Sequence, residues 1–402
     1  MPHSDHSPSP ACESFVGLPP FPDNVPTAPL LRISLSKLLQ HDAEEQERCW
    51  KACCELGFFY LDVRTGTSSS GGGGDGDEVC LDGTALLEDV DALFDVMKPF
   101  FDVDVAEKVK YDFKEQGSYF GYKGYGGGYV DKQGTKDRNE FYNISKDDIL
   151  HLTPPLPAPS ILTPHRPLYK SYIRSSHAIC MLITSILSTR LPLSASARSK
   201  GGLPAFHNLL ARSGDQIRFV KAPAQEPSLK GVALGEHTDF GIVTVLFNRL
   251  GGLQVRLPPG MEASRPTVSE PRMSDVETKL CEDGWTYVRP LPGHCIVNLG
   301  DALVKFSEGR LRSNIHRVVA PPGDQAAVDR YSLVYFCRPE DEVVLGSLIE
   351  GGQDKGEEQI TAKDWILRRA LGRRERDGWE MSEGTERHKS RLMGYDAYSG
   401  IS

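Results

Sequence analysis

The sequence predicts an α+β protein: a mainly helical first half, then an antiparallel β barrel or jelly roll with a further helix behind it. Three observations carry this. From residue 203 onward, short β-branched runs recur between Gly and Pro turns: "QIRFVKA", "GIVTVLF", "GLQVRL", "GWTYVRP", "HCIVNLG", "LVKFS", "IHRVVAPP" and "RYSLVYFCRP". The first half instead carries helical periodicity, clearest at Leu86, Leu87, Val90, Leu93, Phe94 and Met97. The 402 residues, 39% hydrophobic and 25% charged, have the composition of a globular protein of one large domain or two ordinary ones.

Residues 1–28, rich in Pro, Ser and His, read as a disordered leader. The region 29–190 opens with a short strand in "APLLRISLSKLL", a serine-started helix over about 36–56, and the strand "GFFYLDV". The Gly/Ser-rich stretch 64–83 is a flexible insertion by composition. The periodic helix after it is predicted to end near Pro99, and a helix over 167–190 follows a proline-rich link. The strand-rich region spans 203–345, with a polar insertion at about 258–281. Residues 346–402 hold a last helix and a tail; "LRRALGRRER" reads as its solvated face, because Glu and Asp flank the basic cluster.

A net charge of −9 without a basic, aromatic strip argues against nucleic acid as a partner. Nine scattered cysteines with no CxxC describe a reduced, intracellular set with neither a zinc ribbon nor a disulfide framework. The N-terminus lacks a signal-peptide pattern, and no run approaches the roughly 18 apolar residues of a membrane span. A cytoplasmic protein is expected, with its oligomeric state left open. Residues 117–143 combine seven glycines with many aromatics, yet lack GxGxxG and GxxxxGK[ST]. They read as an aromatic loop over a pocket, with Tyr119, Tyr125, Tyr129 and Phe141, joined by Phe240, as its substrate wall.

The chemistry concentrates in "GEHTDFGIVTVL". His237 and Asp239, two apart in a strand, would project together; a turn at a solvent-facing rim is the plainer alternative. A third ligand would decide. His316, opening the β-branched run "IHRVVAPP", is the candidate, with His207 and His294 the remaining possibilities. With 316–320 and 330–335 placed as neighbouring strands, Arg330 and Ser332 share its sheet region. Two imidazoles and one carboxylate on one face leave open positions on a divalent ion and suit Fe(II). Arginine beside a hydroxyl forms a fork for the far carboxylate of a 2-oxo acid chelating that iron.

In "HTDFGIVTVL…GGLQV", "GWTYVRPLPGHCIVNLGDAL", "SNIHRVV" and "RYSLVYF" the chain resembles the Fe(II)- and 2-oxoglutarate-dependent dioxygenases, most closely the isopenicillin N synthase-like group. "ACCELGFFYL" and "GYKGYGGGYVD…RNEFYN" extend the resemblance to roughly 28–370. It implies a double-stranded β-helix (jelly-roll) core, His237, Asp239 and His316 as catalytic iron ligands, and Arg330 and Ser332 on 2-oxoglutarate. It also implies O₂ as co-substrate, ascorbate as a reductant, and oxidation of a C–H bond in a small organic metabolite of specialised metabolism by hydroxylation, desaturation or cyclisation. One departure touches the oxo-acid site: "IRFVKAP" has Ala222 where the family often has tyrosine, so Lys221 is expected to supply a substitute contact. "NLGD" is read as fixing a turn. Competing readings are an iron oxidase that uses no 2-oxoglutarate, a zinc hydrolase, and a non-catalytic small-molecule binder on the same fold. A serine hydrolase is excluded by the absence of GxSxG.

Overall fold

The computed structural model describes residues 15–64, 81–225, 232–264, 278, 281–352, 359–377, 382 and 384–385. β1 (Arg32–Ser34) runs straight into α1 (Leu35–Leu39), which Ser34 caps by accepting the Lys37 N–H; Asp42 caps α2 (Ala43–Glu55) through Glu45 N–H. The single helix expected over 36–56 is therefore two. They part at His41, whose φ of 57° cannot continue a right-handed helix. After β2 (Phe58–Asp62), α3 (Gly83–Phe101) starts at its Asp82 cap. It contains Pro99 rather than ending there, because Phe100 and Phe101 beyond it are buried and offset the lost backbone hydrogen bond. Most of the first expected insertion, 65–80, lies outside the described residues.

Within 117–143, β3 (Gly121–Lys123) pairs antiparallel with β4 (Glu140–Ser145), so the expected loop is partly sheet. α4 (Arg166–Arg190) buries Tyr169, Tyr172, Ile173, Ile183 and Leu187 along one stripe, while the facing side of α3 buries Leu86, Leu93 and Met97. Together they cover the outer face of the larger sheet: the Tyr169 ring meets Phe219, and the Tyr172 ring meets Phe247.

The strand-rich half supplies β5 (Gln216–Ala222), β6 (Val232–His237), β7 (Val243–Asn248), β8 (Leu253–Arg256), β9 (Trp285–Tyr287), β10 (His294–Leu299), β11 (His316–Val319) and β12 (Arg330–Cys337). One sheet runs β1-β2-β10-β7-β12-β5-β4-β3, and the other β6-β11-β8-β9. Among these strands only the β1–β2 pair is parallel. Inward residues of both sheets line one cavity, which is how a two-sheet jelly roll encloses a site.

Four expectations need correction here. "LVKFS" is not a strand but part of α5 (Asp301–Ser307), all seven residues of which are buried; a short run apolar on every side has no period to distinguish the two. β11 and β12 are not neighbours: they belong to opposite sheets and face each other across the cavity. The leader is packed from Pro19: Val25 is buried, Phe21 meets Tyr287 edge-on, and Gln325 Nε2 donates to the Pro19 carbonyl. Residues 1–14 lie outside the described set. Finally, the basic run of α6 (Ala362–Gly372) and the residues after it is a solvated face only in part: Arg368 and Arg376 are exposed, but Arg369 is buried and Arg373 lines the cavity. No helix among the described residues is long and apolar enough to cross a membrane.

Candidate active site

His237 is the last residue of β6 and pairs directly with His316, the first of β11. Asp239 lies beyond the strand, in the turn into β7. The rim-turn geometry thus coexists with a clustered site: donor atoms of His237, Asp239 and His316 all lie within 4.8 Å of one another. The far side of each side chain is already occupied. His237 Nδ1 is 2.8 Å from the Gly235 carbonyl, and His316 Nδ1 is 3.1 Å from the Asn314 carbonyl. A carbonyl only accepts, so Nδ1 of each ring carries the proton and Nε2 presents a lone pair. Asp239 Oδ2 accepts from Thr244 Oγ1 and Asn298 Nδ2, both at 2.6 Å, while Oδ1 faces His316 Nε2 at 3.8 Å. Burial, with His316 and Arg373 beside it, holds the His237 imidazole well below its usual range and keeps it neutral. This donor set, with its tautomers fixed from outside, fits a borderline divalent metal.

Asn298 and Thr244 do not stand out in the sequence as site residues. Asn298 is more than a turn-former: it sits in β10 opposite Thr244 of β7, and both reach Asp239. The available signal is a buried amide within an otherwise apolar strand. Gly300 closes the same corner, since a Cβ there would lie 2.4 Å from the Gly241 carbonyl oxygen.

Deeper in the cavity, Arg330 and Ser332 share one face of β12. Arg330 Nε donates to the Gly251 carbonyl at 2.6 Å and Nη1 to Ser332 Oγ at 2.7 Å. Gly252, at φ 97°, lets that loop approach; a Cβ there would meet the Val319 carbonyl at 2.6 Å. Burial alone lowers the Arg330 guanidinium to about 10. No carboxylate lies within ion-pair distance of it among the described residues.

Lys221 does not substitute for the missing tyrosine. On β5, alternation sends Ala222 and Val220 into the cavity and Lys221 to the opposite face. There it pairs with Asp329 at 3.1 Å and Asp102 at 3.5 Å. Lys221→Ala should leave 2-oxoglutarate affinity within about two-fold and cost at most about 1 kcal/mol of stability; titration of the keto acid and denaturant unfolding check both.

The outer part of the site is lined by Tyr119, Tyr129, Phe141 and Phe240, together with Arg218 and Arg373. Tyr125 is not part of this wall. It is 54% exposed, with its hydroxyl accepting from Arg138 Nε, because the Gly126 turn carries it outward.

A family model for the 2OG-Fe(II) oxygenase superfamily matches residues 214–339, and one for the non-haem dioxygenase in morphine synthesis N-terminal region matches 29–161. A 2-oxoglutarate-dependent dioxygenase of Aspergillus fumigatus is 32% identical over 333 residues, covering 82% of this chain and 80% of that protein. The chain belongs to the 2OG-Fe(II) oxygenase superfamily. The dioxygenase gloE of Glarea lozoyensis is 28% identical over 91% of this chain and 92% of its own length. Among solved structures, a full-length Neurospora crassa protein in complex with alpha-KG superposes with a TM-score of 0.60 at 21% identity, over 85% of this chain and 95% of that one. JOX2 in complex with 2OG, Fe and JA gives 0.60 at 22% identity, over 95% and 98%. This oxygenase therefore has the double-stranded β-helix core and uses Fe(II) and 2-oxoglutarate.

A second cluster in the oxygenase, His177, Asp215 and Cys337, is fully buried. Its groups are spoken for. Asp215 accepts from Tyr335 Oη and Arg338 N–H, each at 2.7 Å, and His177 Nε2 sits 2.8 Å from the His207 carbonyl. Burial pushes His207 down to about 4, and lowers His177 as well. Between about pH 6.5 and 4 the unfolded chain then binds more protons than the folded one, so stability is full above that window and falls as pH drops through it. His207 alone should contribute about 3 kcal/mol. Denaturant unfolding of the metal-free oxygenase across pH 4–7 should show this slope, and His207→Gln should remove close to one proton from it.

Proposed function

We propose that His237 and His316, through Nε2, and Asp239, through Oδ1, hold the iron, and that Arg330 with Ser332 holds the distal carboxylate of 2-oxoglutarate. The observation that carries this is the outward anchoring of all three side chains, which leaves one donor atom on each converging on a common point. When bound, Fe(II) and 2-oxoglutarate would activate O₂, the oxidant: two of its four electrons would come from the keto acid, which leaves as succinate and CO₂, and two from the substrate C–H bond. The chain's part is placement. Asn298 and Thr244 fix the Asp239 carboxylate, and Phe58 packs edge-on against the His316 ring. Leu246, Leu253, Val318 and Val334 keep the inner cavity apolar, so the Arg330 charge acts at low dielectric.

The substrate is a small organic molecule seated in the outer cavity against Phe141 and Phe240, in the cytoplasm. Two structural relatives are solved with such molecules, the Neurospora crassa protein with thymine and JOX2 with JA. Whether hydroxylation, desaturation or ring closure results depends on which carbon the aromatic wall presents. Anaerobic addition of Fe(II) and 2-oxoglutarate to the purified protein should produce a weak visible metal-to-ligand charge-transfer band. Its absence with stoichiometric iron present would refute this reading.

A further inference from the structure

Three guanidinium groups, those of Arg218, Arg338 and Arg373, border the outer cavity beside His237 and Asp239 with no ion-pair partner of their own among the described residues. Arg218 projects from β5 on the same face as Val220 and Ala222. Its Nε donates to Asn143 Oδ1 at 2.7 Å, and its guanidinium lies 4.2 Å from the Phe141 ring centre and 4.9 Å from that of Phe336. Arg373, just past α6, donates through Nη2 to Ser382 Oγ at 2.8 Å and stands 5.5 Å from the Phe240 ring. Two other cations at this cavity are matched: Lys123 pairs with Asp137, and Arg374 grips Asp112 with both Nη atoms. Arg338 is buried, donates through Nη1 to the Gly214 carbonyl and stands 5.1 Å from the Tyr119 ring, so it is turned to the cavity wall but keeps its charge unpaired. The carboxylate that Arg218 and Arg373 both sense, Asp239, is turned toward the two histidines and held by Thr244 and Asn298.

Holding unpaired guanidiniums half-buried in one cavity is costly unless an anion completes the site. Ring faces flanking each group hold its plane and leave its edge as a two-pronged donor. Arg373 follows the C-terminal end of α6, where the helix dipole is negative and partly offsets these cations; a monoanion suits this better than a phosphate dianion.

We propose that the substrate is a small organic acid, whose carboxylate is held between Arg218 and Arg373 and whose carbon body lies against Phe141, Phe240 and Phe336. This rests on the reading of His237, Asp239 and His316 as the iron ligands, since they set which end of the molecule is oxidised. Arg330 serves the keto acid and Arg218 with Arg373 the substrate, so the oxygenase would discriminate two acids by depth.

The experiment uses the full chain with Fe(II) under anaerobic conditions. Titration with 2-oxoglutarate is followed by the charge-transfer band; then phenylacetate, trans-cinnamate and hexanoate are compared with their primary amides by calorimetry. At least one acid should bind about 10- to 100-fold more tightly than its amide, as charge-assisted pairing to arginine requires. Arg218→Gln and Arg373→Gln should each reduce that preference below about three-fold while 2-oxoglutarate affinity stays within about two-fold, and Arg→Lys at either position should restore part of it. Equal binding of every acid and its amide, or of none, overturns the proposal. So does an Arg218→Gln variant that weakens 2-oxoglutarate as much as the acid, which would assign Arg218 to the keto acid. Failure of the band in the first titration overturns the iron-site reading instead, and the acid's place beside it.

Discussion

His237→Ala or Asp239→Ala abolishes iron retention and lowers turnover by about 10³-fold or more, with the fold intact. The size follows from the several kcal/mol of charge stabilisation that a bound metal contributes and that no remaining side chain can supply. The fold survives because neither residue is part of the apolar core: His237 ends a strand and Asp239 lies in a turn. Iron content after gel filtration and thermal unfolding of the metal-free protein measure the two effects separately. Normal iron with full turnover in either variant would remove that residue from the site. His294→Ala is the control and keeps its iron, since His294 lies beside Asp62 and Tyr60, away from the cavity. Asn298→Ala and Thr244→Val should fall between, at about 10- to 100-fold weaker iron binding, because each releases one constraint on Asp239.

What the sequence reveals, and what it hides, divides along a physical line. β5 matches "QIRFVKA" residue for residue, and β12 takes all of "RYSLVYFCRP" but its last two residues, because strands of a sheet covered on both faces read as β-branched and aromatic runs bounded by turns. The three metal-binding candidates are legible for a related reason: imidazoles and a carboxylate stand out against β-branched neighbours. Lys221 misleads by adjacency. The residue beside Ala222 in sequence is on the other face of the strand, so closeness along the chain means distance in the fold. Arg373 is hidden by composition, because a cluster of arginines and glutamates looks solvated whichever residue turns inward. It is the fold that turns it: Tyr129 N–H donates to the Arg373 carbonyl, tying the aromatic loop to the end of α6 over the site. Helix α5 is illegible for want of a period, and its position depends on backbone bonds from Asp301 and Ala302 to the Asp239 and Gly241 carbonyls, which no local pattern announces.

Arg330→Leu should weaken 2-oxoglutarate by roughly 2–5 kcal/mol, or about 30- to several-thousand-fold, because it removes a buried charge-assisted partner from a desolvated carboxylate. Gly251 and Ser332 use Nε and Nη1, which fixes the guanidinium plane and aims its remaining edge into the cavity. Arg330→Lys should recover only part of the affinity, since an ammonium cannot hold the loop carbonyl, the serine and a carboxylate in one plane. Ser332→Ala should cost less, about 3- to 10-fold, the worth of one neutral hydrogen bond. The metal-free fold should tolerate Arg330→Leu, because replacing an unpaired buried charge with an apolar side chain removes a desolvation penalty. An oxidase without a keto acid would give a different pattern. Arg330 would then hold the substrate's own carboxylate, turnover would need no added 2-oxoglutarate, and Arg330→Leu would raise only the substrate's KM. Succinate measured against product decides: equal amounts in the wild type, with a raised 2-oxoglutarate requirement in Arg330→Leu, place the keto acid on Arg330, whereas product formed without succinate would remove it.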